Sequence, residues 1–154
     1  MTAENQPCMT PKELATRWFE EIWNAKNPDL IRQWMAPDAV GITEGGEIHG
    51  PDDFHKLVYE PLVQAFPDFR VECEAIVAEG EDVMTRWVVT ARHLGPFMDL
   101  APTGKSLRFH GMTWLRVRNG KVIGGADSFN LHGIMNFLAS GTPTTSVTPA
   151  GMPP

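Results

Sequence analysis

From Arg70 to Val117 the chain alternates between apolar and polar residues in three successive runs, a pattern that a half-buried antiparallel sheet satisfies and a helix does not. Val71, Cys73, Ala75 and Val77 alternate with Arg70, Glu72 and Glu74. Val83, Thr85, Trp87, Val89, Ala91 and His93 then alternate with Arg86, Thr90 and Arg92. In the third run Leu107, Phe109, Gly111, Thr113, Leu115 and Val117 form the inward row, and Arg108, His110, Met112, Trp114 and Arg116 the outward one. Each strand is expected to have one wet face and one buried face.

Upstream of Pro67 the period is helical. Thr10-Pro11-Lys12-Glu13 is a capping box with proline at the first helical position, and Leu14, Trp18 and Ile22 follow at i+4 spacing, predicting a helix over 11–24. Asn27-Pro28 opens a second, shorter helix with Leu30, Ile31 and Trp34 inward, stopped by Pro37. A third starts at Gly50-Pro51 and buries Phe54, Leu57, Val58, Leu62 and Phe66, with a kink expected at Pro61. "AVGITEGGEIHG" suggests two short strands around a Gly-Gly turn. The order predicts an α+β domain: a curved antiparallel sheet with helices packed on its concave face, forming a cone-shaped barrel with an internal cavity where the helices do not reach. Its bounds are about 10–139. Residues 1–9 read as a flexible tail, and 140–154, "SGTPTTSVTPAGMPP", as a disordered Pro/Thr-rich one.

Composition removes several function classes. A net charge of −6 argues against nucleic acid and against an anionic membrane surface, both of which need a basic face. No apolar run reaches the roughly 18 residues of a membrane span, and the polar N-terminus does not read as a signal peptide, so a cytoplasmic location is expected. Cys8 and Cys73 make no disulfide framework. The five histidines lack the H-x-x-x-H and H-E-x-x-H spacings of a metal helix, and no phosphate-binding glycine loop follows a strand, so neither metal nor cofactor is expected.

Within "GKVIGGADSFNLHGIMNFL" the single acid is Asp127. A three-residue hairpin loop at "VRNGKV" would pair Val117 with Lys121, Thr113 with Gly125, Gly111 with Asp127 and Phe109 with Phe129, turning Asp127 inward. A four-residue loop would turn it outward. An inward carboxylate on an apolar face holds its proton to higher pH and becomes competent to shuttle it near neutrality. The alternative is that Asp127, Ser128 or Asn130 caps the helix that begins near Leu131.

The run "TRWVVTARHLGPFMDLAPTGKSLRFHGMTWLRVRNGKV", with "IHGPDDFHKLV" and "AFPDFRV" upstream, resembles the SnoaL-like polyketide cyclases, also called ester cyclases, over most of residues 10–138. The resemblance implies the nuclear transport factor two-like fold and a cofactor-free intramolecular aldol ring closure with a strand aspartate as general acid/base. Aligned from Gly120-Lys121, that aspartate falls on Asp127. The family's accompanying histidine falls on Thr113, its preceding tryptophan on Ala126 and a following acid on Asn130.

His93 occupies a family histidine position at the head of the "LGPFMDLAPTGK" loop, where it either orients a substrate carbonyl or bonds to backbone. Trp18, Trp34, Trp87, Phe109, Thr113 and Phe129 are the candidate substrate-binding residues, each with core packing as the competing reading. The expected partner is a hydrophobic small molecule. Met112 and Trp114 on the outer sheet face point to a homodimer through that face. Cyclisation is the expected reaction, with isomerisation, dehydration or hydrolysis as rivals, and a non-catalytic ligand-binding module or a dimeric interaction domain as the alternatives from other classes.

Overall fold

A computed structural model describes residues 8–151. Helix α1 runs through Pro11–Arg17 and continues as a π-helical stretch, Trp18–Asn24. Thr10 Oγ1 accepts the Glu13 N–H at its start, as the capping box requires. The wider π turn broadens the apolar stripe, so that Phe19 and Trp23 are buried beside Leu14, Trp18 and Ile22. Helix α2 is Asp29–Trp34. Helix α3 starts with Gly50–Asp53, widens into a π stretch at Phe54–Tyr59 and ends as Glu60–Ala65. The π turns lie just upstream of Pro61, which lacks an N–H and whose ring would crowd the carbonyl four residues earlier in a regular α-helix. They also rotate the helix, burying Tyr59 and leaving Leu57, expected inside, exposed.

The strands are β1 (Met35–Thr43), β2 (Gly46–His49), β3 (Arg70–Glu79), β4 (Asp82–Arg92), β5 (Ser106–Arg118), β6 (Lys121–Phe129) and β7 (Val147–Pro149). They form one curved, unclosed sheet in the order β2-β1-β6-β5-β4-β3, with β7 on β5 beyond the end of β6. All pairs are antiparallel except β1 with β6. α1 packs across β3, β4 and β5, and α3 against β1, which places the helices inside the cone of the sheet. Helix α4 (Leu131–Ser140) closes the domain.

Three sequence expectations change. The hairpin at Asn119-Gly120 is a two-residue turn, with both residues at positive φ, and it pairs Arg118 with Lys121. A bulge at Ile123 then adds one residue to β6, so Thr113 faces Asp127, Gly111 faces Phe129 and Leu115 faces Gly125. The register differs by two from the one expected, which preserves parity, and Asp127 still points inward. In β3, a second bulge at Glu74 flips the alternation: Ile76 turns toward the core and Val77, expected inward, is 67% exposed. Finally, the segment after Ser140, expected to be disordered, carries β7, and its Val147 is fully buried against Leu107 and Phe109. The rest of the two expected tails, residues 1–7 and 152–154, lies outside the described residues.

Candidate active site

The inner face of the sheet and the facing sides of α1 and α3 enclose a cavity of about 250 Å³. Its wall is aromatic and aliphatic: Trp18 and Trp23 from α1, Phe54 from α3, Trp87 from β4, Phe109 from β5 and Phe129 from β6. Such a surface gains most from an apolar ligand. Asp127 and Glu44 are the only charged side chains among the lining residues.

Asp127 reaches the cavity because the bulge at Ile123 sets its parity and because it is not needed as a cap. Asn130 takes that role, its side-chain oxygen accepting the Gly133 N–H at 2.8 Å. One hydrogen bond holds the carboxylate: Thr113 Oγ1 donates to Asp127 Oδ1 at 2.6 Å. Thr113 in turn accepts the indole N–H of Trp87 at 2.9 Å, which fixes the direction of its own proton. The result is a directed chain, Trp87 to Thr113 to Asp127. Burial pushes the Asp127 carboxyl up to about 6; the Thr113 hydrogen bond opposes this and the negative charge of Glu44 adds to it. Among the described residues no lysine, arginine or histidine lines the cavity to reverse that shift.

Glycines make the room. A Cβ on Gly111 would lie 2.3 Å from Trp87 Cη2 and 2.9 Å from the Ser128 carbonyl oxygen. Only glycine lets the indole lie flat on β5 with its N–H on Thr113.

The candidates divide. Asp127, Thr113, Trp18, Trp87, Phe109 and Phe129 all line the cavity. Trp34 and His93 do not. Trp34 is buried outside the cavity, beneath the Arg17 guanidinium at 5.0 Å. His93 is completely buried at the root of the 94–105 loop, where Nδ1 accepts the Thr103 N–H at 3.1 Å and lies 3.0 Å from Thr103 Oγ1. Its ring packs on Phe66, and burial lowers its pKa, keeping the imidazole neutral. This is the backbone-bonded reading of His93: it pins a loop whose Phe97 and Met98 line the cavity. The sequence reading missed Glu44. Its side chain reaches back from the β1–β2 turn and accepts the Phe129 N–H at 3.1 Å.

Among the described residues no group of three or more His, Cys, Asp or Glu side chains converges as a metal site would require, and no helix is long and apolar enough to cross a membrane.

The family model for SnoaL-like polyketide cyclases matches residues 13–138. The chain belongs to the SnoaL-like polyketide cyclase family. Among solved structures, AclR of Streptomyces galilaeus, described as a proposed hydroxylase, is 33% identical over 87% of each chain with a TM-score of 0.75. A protein of Jannaschia sp. CCS1 described as a proposed SnoaL-like polyketide cyclase is 24% identical over 84% of this chain and 92% of that one, with a TM-score of 0.79. IdmH of Streptomyces antibioticus, described as a proposed polyketide cyclase, is 24% identical over 85% of this chain and 99% of that one, with a TM-score of 0.73. These two show the shared fold, which is of the NTF2-like kind. No curated protein matches the chain in sequence. As a SnoaL-like protein, the chain carries a cyclase-type scaffold whose cavity aspartate, Asp127, is paired with a threonine hydroxyl.

Proposed function

We propose that the protein is a cofactor-independent acid/base enzyme that closes a ring in a hydrophobic, polyketide-like small molecule by intramolecular aldol addition. The observation that carries this reading is the Asp127 carboxyl in an aromatic cavity, held by one hydroxyl and poised near neutrality. With Oδ1 engaged by Thr113, Oδ2 is the oxygen that takes a proton from the carbon between two substrate carbonyls. The C–H bond breaks and its electrons delocalise into the enolate. The enolate carbon then attacks a second carbonyl carbon, a C–C bond forms, and the alkoxide recovers the proton from Asp127. Thr113 cannot supply an acid, because a hydroxyl does not ionise in this range; it orients the carboxylate. Isomerisation, dehydration or hydrolysis on the same scaffold would use the same proton transfer. If the cavity only stores a ligand, the carboxyl transfers none.

The test does not need the natural substrate. In deuterated buffer an aromatic β-keto ester should exchange its activated hydrogens faster with the protein than without it, and Asp127→Asn should lose roughly a hundredfold or more of that rate. Exchange that is unchanged in Asp127→Asn contradicts the reading, and absence of exchange favours a binding module.

The likeness to AclR, described as a proposed hydroxylase, supports a second reading, hydroxylation of the substrate. Oxygen uptake during turnover separates the two, since ring closure consumes none. On the outer face of the sheet, Val77, Met84 and Met112 are 67%, 46% and 48% exposed, and their burial in a homodimer is part of the same proposal.

A further inference from the structure

β1 accompanies β6 only as far as the pairing of Ile42 with Ala126. Beyond it the backbone N–H of Phe129 has no partner on β1, and the side chain of Glu44 takes that place from the turn between β1 and β2. A charged acceptor on a backbone amide is stronger than a neutral one, so the bond ties the end of β6, two residues past Asp127, to the neighbouring β1–β2 turn. Glu44 is itself exposed, and it lines the cavity. Around Asp127 the facing groups are few. β5 contributes Thr113, the β1–β2 turn contributes Glu44, and α1, α3 and the 94–105 loop contribute only uncharged lining residues: Trp18, Phe19 and Trp23, then Phe54, Leu57 and Val58, then Phe97 and Met98.

We propose that Glu44 is a positioning residue for Asp127 and the selectivity element of the cavity mouth, holding the end of β6 through the Phe129 amide and turning away ligands that carry a free carboxylate or phosphate. This rests on the reading of Asp127 as the acid/base of the site. An anionic ligand would lose its hydration on entering an aromatic cavity and would meet two carboxylates and no cation, whereas an uncharged or amine-bearing ligand meets no such cost. The electrostatic role and the anchoring role separate in two variants. Glu44→Gln keeps an oxygen that can accept from Phe129 but removes the charge; Glu44→Ala removes both.

The test is the titration of the Asp127 carboxyl carbon by NMR, together with tryptophan-fluorescence binding of naphthol and naphthoate, a neutral and an anionic probe of nearly equal shape. In Glu44→Gln the Asp127 midpoint should fall by about half a pH unit or more, because a like charge has gone. At about pH 8 the wild type should bind naphthol at least tenfold more tightly than naphthoate, and Glu44→Gln should reduce that ratio severalfold. Glu44→Ala should add faster exchange of the Phe129 amide. If Glu44→Gln leaves both the midpoint and the probe ratio unchanged, Glu44 is only a strand cap and the proposal fails. Neither readout needs turnover, so a cavity that binds without catalysing still answers it, and a failure here leaves the exchange test of Asp127 standing.

Discussion

The hydroxyl of Thr113 lies 2.6 Å from Asp127 Oδ1 and donates to it, and these two residues face each other directly across β5 and β6. The partner of the carboxylate is thereby a group that can orient it but cannot exchange its own proton near neutrality.

Replacing Thr113 by valine keeps the volume and removes the hydroxyl. The Trp87 indole N–H, which is buried, then loses its acceptor, so the fold should lose about 1–3 kcal/mol. The Asp127 midpoint should rise, because the one bond favouring its charged form is gone. Thr113→Ser should restore both. Urea unfolding and the Asp127 titration measure the two effects, and a valine variant with an unmoved midpoint would show that the bond does not exist in solution.

The dependence of stability on pH has a definite sign. An unfolded aspartate ionises near pH 4, while the folded Asp127 keeps its proton to about 6. Between those values the native state binds the extra proton, so the stabilisation present below pH 4 is lost as pH rises through 6. The loss is roughly 2–3 kcal/mol at 1.36 kcal/mol per unit. Asp68, Glu81 and Asp82, each held below its usual range beside an arginine, act oppositely at lower pH. The difference between wild type and Asp127→Asn therefore isolates the effect: the variant's relative stability should increase between pH 4 and 6. A flat difference would contradict it.

How much of this was legible beforehand follows from which physical signals are local. Hydrophobic period and caps are local, so the helices and the four long strands were readable from residues such as Thr10, Trp87 and Val117. Bulges are not: nothing in the residue types at Glu74 or Ile123 announces an extra residue, so Val77 was expected on the wrong face and the β5–β6 register was off by two. The inward placement of Asp127 survived because the two-residue turn and the bulge cancel in parity. Trp34 and His93 show a different limit, since periodicity distinguishes inside from outside but not cavity from solid core. Glu44 sits in a glycine-rich turn, and its bond to Phe129 joins that turn to the adjacent β6, 85 residues apart in sequence. Val147 lay in a Pro/Thr-rich segment whose composition concealed one well-placed apolar side chain.

Gly111→Ala tests the cavity's geometry. The added methyl would meet the ring of Trp87 and the backbone of Ser128, costing about 1–3 kcal/mol by overpacking. The displaced indole should release Thr113, so loss of stability should be accompanied by a changed Trp87 fluorescence spectrum. A neutral outcome would mean that β5 and the indole are farther apart than found here.

His93→Phe separates a loop anchor from a catalytic group. The Thr103 amide loses its acceptor, so its hydrogen exchange should quicken and the fold should weaken by about 1–3 kcal/mol. The Asp127 titration should not move, because the ring is outside the cavity. A shifted Asp127 midpoint would return His93 to the site.

The most direct measurement is the pH titration of the Asp127 side-chain carboxyl in the wild-type protein, followed by carbon-detected NMR and assigned through Asp127→Asn. The midpoint is expected near 6, as burial against Trp87, Phe109 and Phe129 requires. A midpoint near 4, the value of a solvated aspartate, would mean that the carboxyl is fully hydrated and that the cavity holds no proton shuttle.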